Sequence, residues 1–126
     1  MPRVLVVDDD KTLCGLIEYK LRKKGYDVSI ALDGHEAKSA LESERFDALV
    51  LDIMMPKMDG FHLLRMVQGS KDMAPKATVV LSARNEEDDI LRAFELGAVD
   101  YVTKPFSIDV LVARIGVALE HKVGHG

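Results

Sequence analysis

The stretch Val4-Leu5-Val6-Val7-Asp8-Asp9-Asp10 decides the fold, because four apolar residues run without a break into three carboxylates. A short, continuous apolar run suits a strand buried on both faces, as in a parallel sheet; a half-exposed strand would alternate. Ala48-Leu49-Val50-Leu51, Thr78-Val79-Val80-Leu81 and Val99-Asp100-Tyr101-Val102 repeat the pattern, and Val28-Ser29-Ile30-Ala31 is a weaker fifth strand. Segments with helical spacing lie between them. Leu13, Leu16, Ile17 and Leu21 share one face of a first helix, and Ile108, Leu111, Val112, Ile115 and Leu119 share one face of a last; both faces are expected to pack on the sheet. Ala37, Ala40 and Leu41 mark a second helix and Leu63, Leu64 and Val67 a third, while Leu91, Phe94 and Glu95 lie in a fourth that Gly97 ends. Gly25 closes the first helix, Asp33-Gly34 opens the second, and Ser107 caps the last. Strand and helix thus alternate five times. This predicts an α/β fold: a doubly wound five-stranded parallel sheet of flavodoxin-like order 2-1-3-4-5, with right-handed crossovers and helices on both faces.

The whole chain sets bounds on function. Its 126 residues fit one domain, and a composition 48% hydrophobic and 30% charged can bury a core. A net charge of −4 argues against direct nucleic-acid binding, which needs clustered Lys and Arg. The single cysteine, Cys14, cannot form an internal disulfide, and the N-terminus lacks the apolar segment of a secretory leader, so a cytoplasmic location is expected. No apolar run approaches the roughly 20 residues that span a bilayer, so no membrane association is expected.

In a doubly wound sheet, ligands bind beyond the carboxyl ends of the strands, where the order reverses between strands 1 and 3. Strand 1 runs into Asp8-Asp9-Asp10 and strand 3 into Asp52. Carboxylates a few ångströms apart repel by a few kcal/mol per pair at an effective dielectric near 20, so a cation is expected among them. An all-oxygen ligand set favours Mg²⁺, with Mn²⁺ as the alternative, over zinc. The remaining strand ends bring Ser82 and Lys104, a hydroxyl and an ammonium suited to the equatorial oxygens of a transferring phosphoryl group. Asp52 is then the nucleophile, and the product an acyl phosphate.

At these residues the chain resembles the receiver domain of two-component response regulators. Four motifs carry the resemblance: VLVVDDD at 4–10, LDIMMPKMDG at 51–60, VVLSA at 79–83 and DYVTKPF at 100–106. It places the receiver domain at residues 2–122, with 123–126 as a C-terminal tail or the start of a linker. It implies that Asp8, Asp9, Asp52 and the backbone carbonyl of Met54 hold Mg²⁺, and that Asp52 takes its phosphoryl group from the phosphohistidine of a sensor histidine kinase or phosphotransfer protein. Ser82 and Lys104 would contact that group, and Tyr101 would be the switch aromatic that turns inward as Ser82 moves. The change would reshape the face formed by the fourth helix, fifth strand and fifth helix, to control an attached or partner effector. Further implications are a cis Lys104-Pro105 bond, a loop shaped by Pro56 and Gly60, and a phosphoryl lifetime tuned by Met54 and Arg84. The chain would catalyse its own phosphorylation, and in some receivers its own dephosphorylation, without being a dedicated enzyme. The stretch from Gly97 to Ile115 resembles receivers attached to winged-helix domains, which pair as homodimers through that same face. Asp100 and Arg114 match their charge pattern, whereas Ile90 and Val110 replace an oppositely charged pair and suggest an apolar contact instead.

Other readings compete. Asp8-Asp9-Asp10-Lys11-Thr12 also reads as the D-x-D-x-T of haloacid dehalogenase phosphatases, with Asp8 as nucleophile; however, no acidic pair follows Lys104 and the 51–60 segment would go unexplained. A flavin-nucleotide binder would need amides and hydroxyls where the first loop offers carboxylates. Asp10 is read as a bystander, the methionines around residue 55 as packing, and His35, His62, His121 and His125 as surface residues without ligand spacing. Cys14 is read as a buried or half-buried thiol, and Glu86-Glu87-Asp88-Asp89 as a first turn favourable to a helix dipole.

Overall fold

The computed structural model describes residues 1–55 and 57–124, with side chains through residue 120. Pro56, His125 and the side chain of His121 lie outside the described residues. The main strands are β1 (Arg3–Val7), β2 (Asp27–Ala31), β3 (Ala48–Asp52), β4 (Ala77–Ser82) and β5 (Asp100–Thr103). The helices are α1 (Lys11–Lys23), α2 (Gly34–Ser43), α3 (Gly60–Gln68), α4 (Glu87–Glu95) and α5 (Ile108–Gly124). All pairings in the main sheet are parallel, in the order β2-β1-β3-β4-β5. This is the expected flavodoxin-like arrangement. Val123 and Gly124, assigned from sequence to a tail, continue α5.

Alternation along each strand divides the core into two layers. Leu5, Val7, Leu49, Leu51 and Val80 pack against buried residues of α2, α3 and α4. Val4, Val6, Val50, Val79 and Leu81 pack against α1 and α5 on the opposite face. Both faces of the central strands are therefore apolar, which is why they read as unbroken runs. At about 1.5–3 kcal/mol for each fully buried Val or Leu, these rows are the main source of stability.

Side chains define the helix ends. Asp10 accepts from Leu13 N–H at 3.1 Å, Asp33 from Glu36 N–H at 2.8 Å, Asp59 from Phe61 N–H at 3.0 Å and Ser107 from Val110 N–H at 3.3 Å. Asp10 is thus the cap of α1. Gly25 and Gly97, with φ of 93° and 107°, take the left-handed backbone after α1 and α4 that other residues avoid.

Three expectations need correction. Leu16 is 51% exposed, and the sheet-facing stripe of α1 is Cys14, Ile17 and Leu21. In α4 the buried residue is Ala93, while Leu91 and Phe94 face outward. Ile90 is half-buried against the α2–α4 layer rather than exposed, so Val110 is the exposed member of the proposed apolar pair. One element was not anticipated: Met54–Met55 and Met58–Asp59 form a two-stranded antiparallel hairpin between β3 and α3.

Candidate functional site

Strand register assembles the site. Val7 pairs with Leu51, Asp52 with Leu81, and Ser82 with Thr103, so β1, β3, β4 and β5 all end at one edge. The ladder continues past the strands: Asp8 N–H donates to Ala31 O at 3.1 Å, Ile53 N–H to Leu81 O at 3.3 Å and Lys104 N–H to Ser82 O at 2.8 Å. These bonds fix the backbone from which Asp8, Asp52 and Lys104 project.

Asp8 is fully buried and Asp52 is 3% exposed. Lys104 Nζ donates to Asp8 Oδ2 at 2.8 Å and to Asp52 Oδ2 at 3.1 Å. Backbone amides hold the other two oxygens: Asp10 N–H donates to Asp8 Oδ1 at 3.0 Å, and Met54 N–H to Asp52 Oδ1 at 2.8 Å. Exposed Asp9 supplies a third carboxylate, and one oxygen from each of Asp8, Asp9 and Asp52 lies within 4.8 Å of the others. Three charged oxygens facing one ammonium leave a net negative pocket. A donor set of oxygen alone fits a hard divalent cation.

The titration of these groups follows from their neighbours. Burial raises the Asp52 carboxyl above its ordinary value; the Met54 amide and Lys104 pull it back, and Asp8 adds to the rise. Burial alone would lower Lys104, but its hydrogen bond to Asp8 and the charge of Asp52 outweigh this and raise it. Lys104 therefore stays charged, and at ~4 kcal/mol per contact for an effective dielectric near 20 it offsets much of the repulsion between the carboxylates. Cys14 lies behind the pocket, its Sγ donating to Asp8 O at 3.3 Å, and its thiol is pushed up to about 12 by burial and then by Asp8 and Asp10. It is a packing residue, as expected, and unreactive at neutral pH.

Ser82 and Tyr101 meet through a third residue. Ser82 is buried, and its Oγ accepts from Arg84 N–H at 3.0 Å. The Tyr101 ring is buried against the α2–α4 layer, and its hydroxyl donates to Arg84 O at 2.8 Å. Burial raises the phenol above its usual value. One peptide segment thus ties hydroxyl and ring together. Sequence reasoning named Arg84 only for its side chain; the link is made by backbone groups, which carry no residue signature. The half-exposed Met54 side chain and Arg84 border a groove beside the pocket. The Lys104-Pro105 bond is cis, as the resemblance implied. His35 and His62 are exposed and outside the cluster.

A buried carboxylate pair bridged by one lysine thus lies at the switch point of a 2-1-3-4-5 sheet. The chain belongs to the response regulator receiver domain family, whose model matches residues 4–116. It is 43% identical over 117 residues to the alkaline phosphatase synthesis transcriptional regulatory protein PhoP of Bacillus subtilis, an alignment covering 93% of this chain and 48% of that protein. The chain thus spans about half the length of that relative. Among solved structures it is similar to the receiver domain of the Francisella response regulator 1452, with 35% identity, 96% and 98% of the two chains covered and a TM-score of 0.87. It is also similar to the BeF3-activated N-terminal receiver domain of Klebsiella pneumoniae RstA, with 31% identity, 93% and 97% covered and a TM-score of 0.82. Receiver domains of response regulators interact with histidine kinases or phosphotransfer proteins. Family membership sets aside the haloacid dehalogenase and flavin alternatives. Among the described residues, no helix is long and apolar enough to cross a membrane.

Proposed function

We propose that this receiver domain, spanning residues 2–122, accepts a phosphoryl group on Asp52 in a Mg²⁺-dependent reaction. The observation that carries the reading is the placement of Asp52: nearly buried, within hydrogen-bond reach of Lys104 and sharing its pocket with Asp8 and Asp9. Asp8, Asp9, Asp52 and the Met54 carbonyl would hold the cation, with Mn²⁺ as a substitute. When bound, it supplies positive charge against the phosphoryl oxygens.

The chain's own residues do the rest. An ionised Asp52 oxygen attacks phosphorus, the bond from phosphorus to the donor nitrogen of a kinase or phosphotransfer histidine breaks, and the electron pair leaves with the imidazole. Lys104 neutralises charge on the transferred group, as does the Ser82 hydroxyl once it turns from the Arg84 amide. Because Tyr101 is tied to the same Arg84 segment, that turn is transmitted to the β4–α4 loop and so to the α4-β5-α5 face. Phosphorylation need favour the second arrangement by only a few kcal/mol to shift the population. The domain is in this reading a switch and not a dedicated enzyme. It controls an effector, attached or separate, by protein contacts and not by binding nucleic acid itself. The transcriptional role in the name of the PhoP relative supports an attached output; a cytoplasmic location accords with a kinase partner.

Intact mass after incubation with acetyl phosphate and Mg²⁺ tests the assignment. A Mg²⁺-dependent phosphoryl adduct is expected, absent from Asp52→Asn; an adduct retained in that variant, or mapped to Asp8, overturns it.

We also propose that phosphorylation promotes a homodimer through the α4-β5-α5 face. That face exposes Leu91, Phe94 and Val110 beside a bidentate pair, in which Arg114 donates to both Asp100 oxygens at 3.1 Å. Val110→Glu places an unpaired charge in the apolar contact and should weaken the phosphorylated dimer about tenfold or more. Sedimentation equilibrium checks this; an unchanged dimer constant removes Val110 from the interface.

A further inference from the structure

The helix α4 is lightly held by its own sequence. Its N-cap residue, Glu86, makes no side-chain capping bond, whereas Asp10, Asp33, Asp59 and Ser107 cap the other helices. Ala93 is its one fully buried residue, and Leu91 and Phe94 face outward. Side-chain links to neighbouring segments make up the difference. Arg84 in the β4–α4 loop reaches Asp89 at 3.7 Å, and Gln68 at the end of α3 donates to Gly97 O at 2.9 Å just past α4. Between these two, the Arg92 guanidinium lies 4.3 Å from the centre of the Phe61 ring. That is closer than Arg3 over Phe46, at 5.4 Å, or Lys23 over Tyr19, at 5.0 Å.

Phe61 leads from this contact to the carboxylate pocket. Its ring is 2% exposed, and its N–H donates to Asp59 Oδ1 at 3.0 Å. Asp59 pairs with Met54 across the hairpin, and Met54 N–H donates to Asp52 Oδ1 at 2.8 Å. The route Arg92–Phe61–Asp59–Met54–Asp52 shares no residue with the link from Ser82 to Tyr101 through Arg84.

We propose that Arg92 is a positioning residue for Asp52: its guanidinium latches α4 onto Phe61 and, through Asp59 and Met54, steadies the amide that holds the Asp52 oxygen. A cation–π contact at a partly exposed site is worth about two- to fivefold in an equilibrium constant. By linkage, fixing α4 steadies Asp52, and fixing Asp52 steadies α4 by the same factor. The idea deepens the phosphoacceptor reading, but it is tested on the unphosphorylated chain, so the two can fail separately.

Amide hydrogen exchange of the full chain, resolved by residue, tests the latch in Arg92→Met. Methionine is as good a helix former as arginine, so α4 loses the contact and not its propensity. Exchange should quicken about two- to fivefold from Ile90 to Leu96 and also at Phe61 and Met54. Val6 and Val50, in the central strands, should not change. Arg92→Lys keeps a cation for the ring and should stay closer to the parent than to Arg92→Met. In a Phe61→Leu background, Arg92→Met should add nothing further at Met54. Faster exchange in α4 alone would overturn the proposal, as would a uniform rise that includes Val6 and Val50. So would Arg92→Lys matching Arg92→Met, or additive effects of the Arg92 and Phe61 changes.

Discussion

Lys104→Met should destabilise the folded chain by about 2–4 kcal/mol at neutral pH, because it removes the one cation that joins two buried carboxylates. Breaking a buried pair by deleting one partner costs about 3–5 kcal/mol, discounted here because the lysine side chain is 25% exposed while the side chains of Asp8 and Asp52 are 0% and 5% exposed. For a chain of this size the melting temperature should fall by about 10 °C. Methionine keeps most of the aliphatic volume, so the loss reports charge rather than a cavity. The effect has a definite pH sign. Asp52 titrates above its ordinary value of 3.8 in the fold, so its contribution to stability is complete below that value and is lost as pH rises through the folded value. Lys104 holds that rise down; without it Asp52 rises further and the loss widens. The gap between variant and parent should therefore be small in acid and grow toward neutrality. Urea midpoints measured across this range check it, and a gap independent of pH would reduce Lys104 to a packing role. A divalent cation should recover part of the loss, about 2.7 kcal/mol at a hundredfold excess over its dissociation constant, since it would occupy the same carboxylates.

The location of this site was legible because a parallel sheet aligns its strand ends. Once Val4–Val7, Ala48–Leu51, Thr78–Leu81 and Tyr101–Val102 are read as neighbouring strands, the residues that follow them must meet at one edge, and their charges suggest the chemistry. The details that escaped are those in which the pattern is degenerate or the backbone acts. Leu13, Leu16, Ile17 and Leu21 form a stripe, but so do Cys14, Ile17 and Leu21, and the two share Ile17 and Leu21. The smaller cysteine takes the buried position because it fits under the Asp8 carbonyl, leaving Leu16 in solvent. In α4, Leu91 and Phe94 point outward beside a single buried alanine, a reversal that periodicity in a nine-residue helix does not resolve. The hairpin after β3 has two-residue strands, too short for any alternation. The bonds from Arg84 to Ser82 and Tyr101 use only main-chain atoms of Arg84, so no choice of side chain announces them.

That hairpin is also where one methyl group should have the largest effect. A Cβ on Gly60 would collide with the Ile53 backbone, overlapping Cα and lying 2.8 Å from its carbonyl oxygen and from Cβ. No flexible side chain can yield, so the chain itself must move at the junction of β3, the hairpin and α3. We expect Gly60→Ala to cost about 2–4 kcal/mol, comparable to severe overpacking of a core. The damage should reach the carboxylate pocket. Ile53 stands between Asp52 and Met54, and a shift of its peptide disturbs the 2.8 Å bond from Met54 N–H to Asp52 Oδ1. Acetyl phosphate labelling should therefore slow even where the variant remains folded. Gly15→Ala provides the contrast within the same protein. Gly15 lies inside α1, and a Cβ there meets nothing within 4 Å. Alanine is the better helix former, so this change should stabilise by about 0.5–1 kcal/mol and leave labelling unchanged. Denaturant unfolding of the two variants separates the roles of the glycines. If Gly60→Ala is as benign as Gly15→Ala, the close approach of α3 to the end of β3 is not what holds the Met54 amide on Asp52.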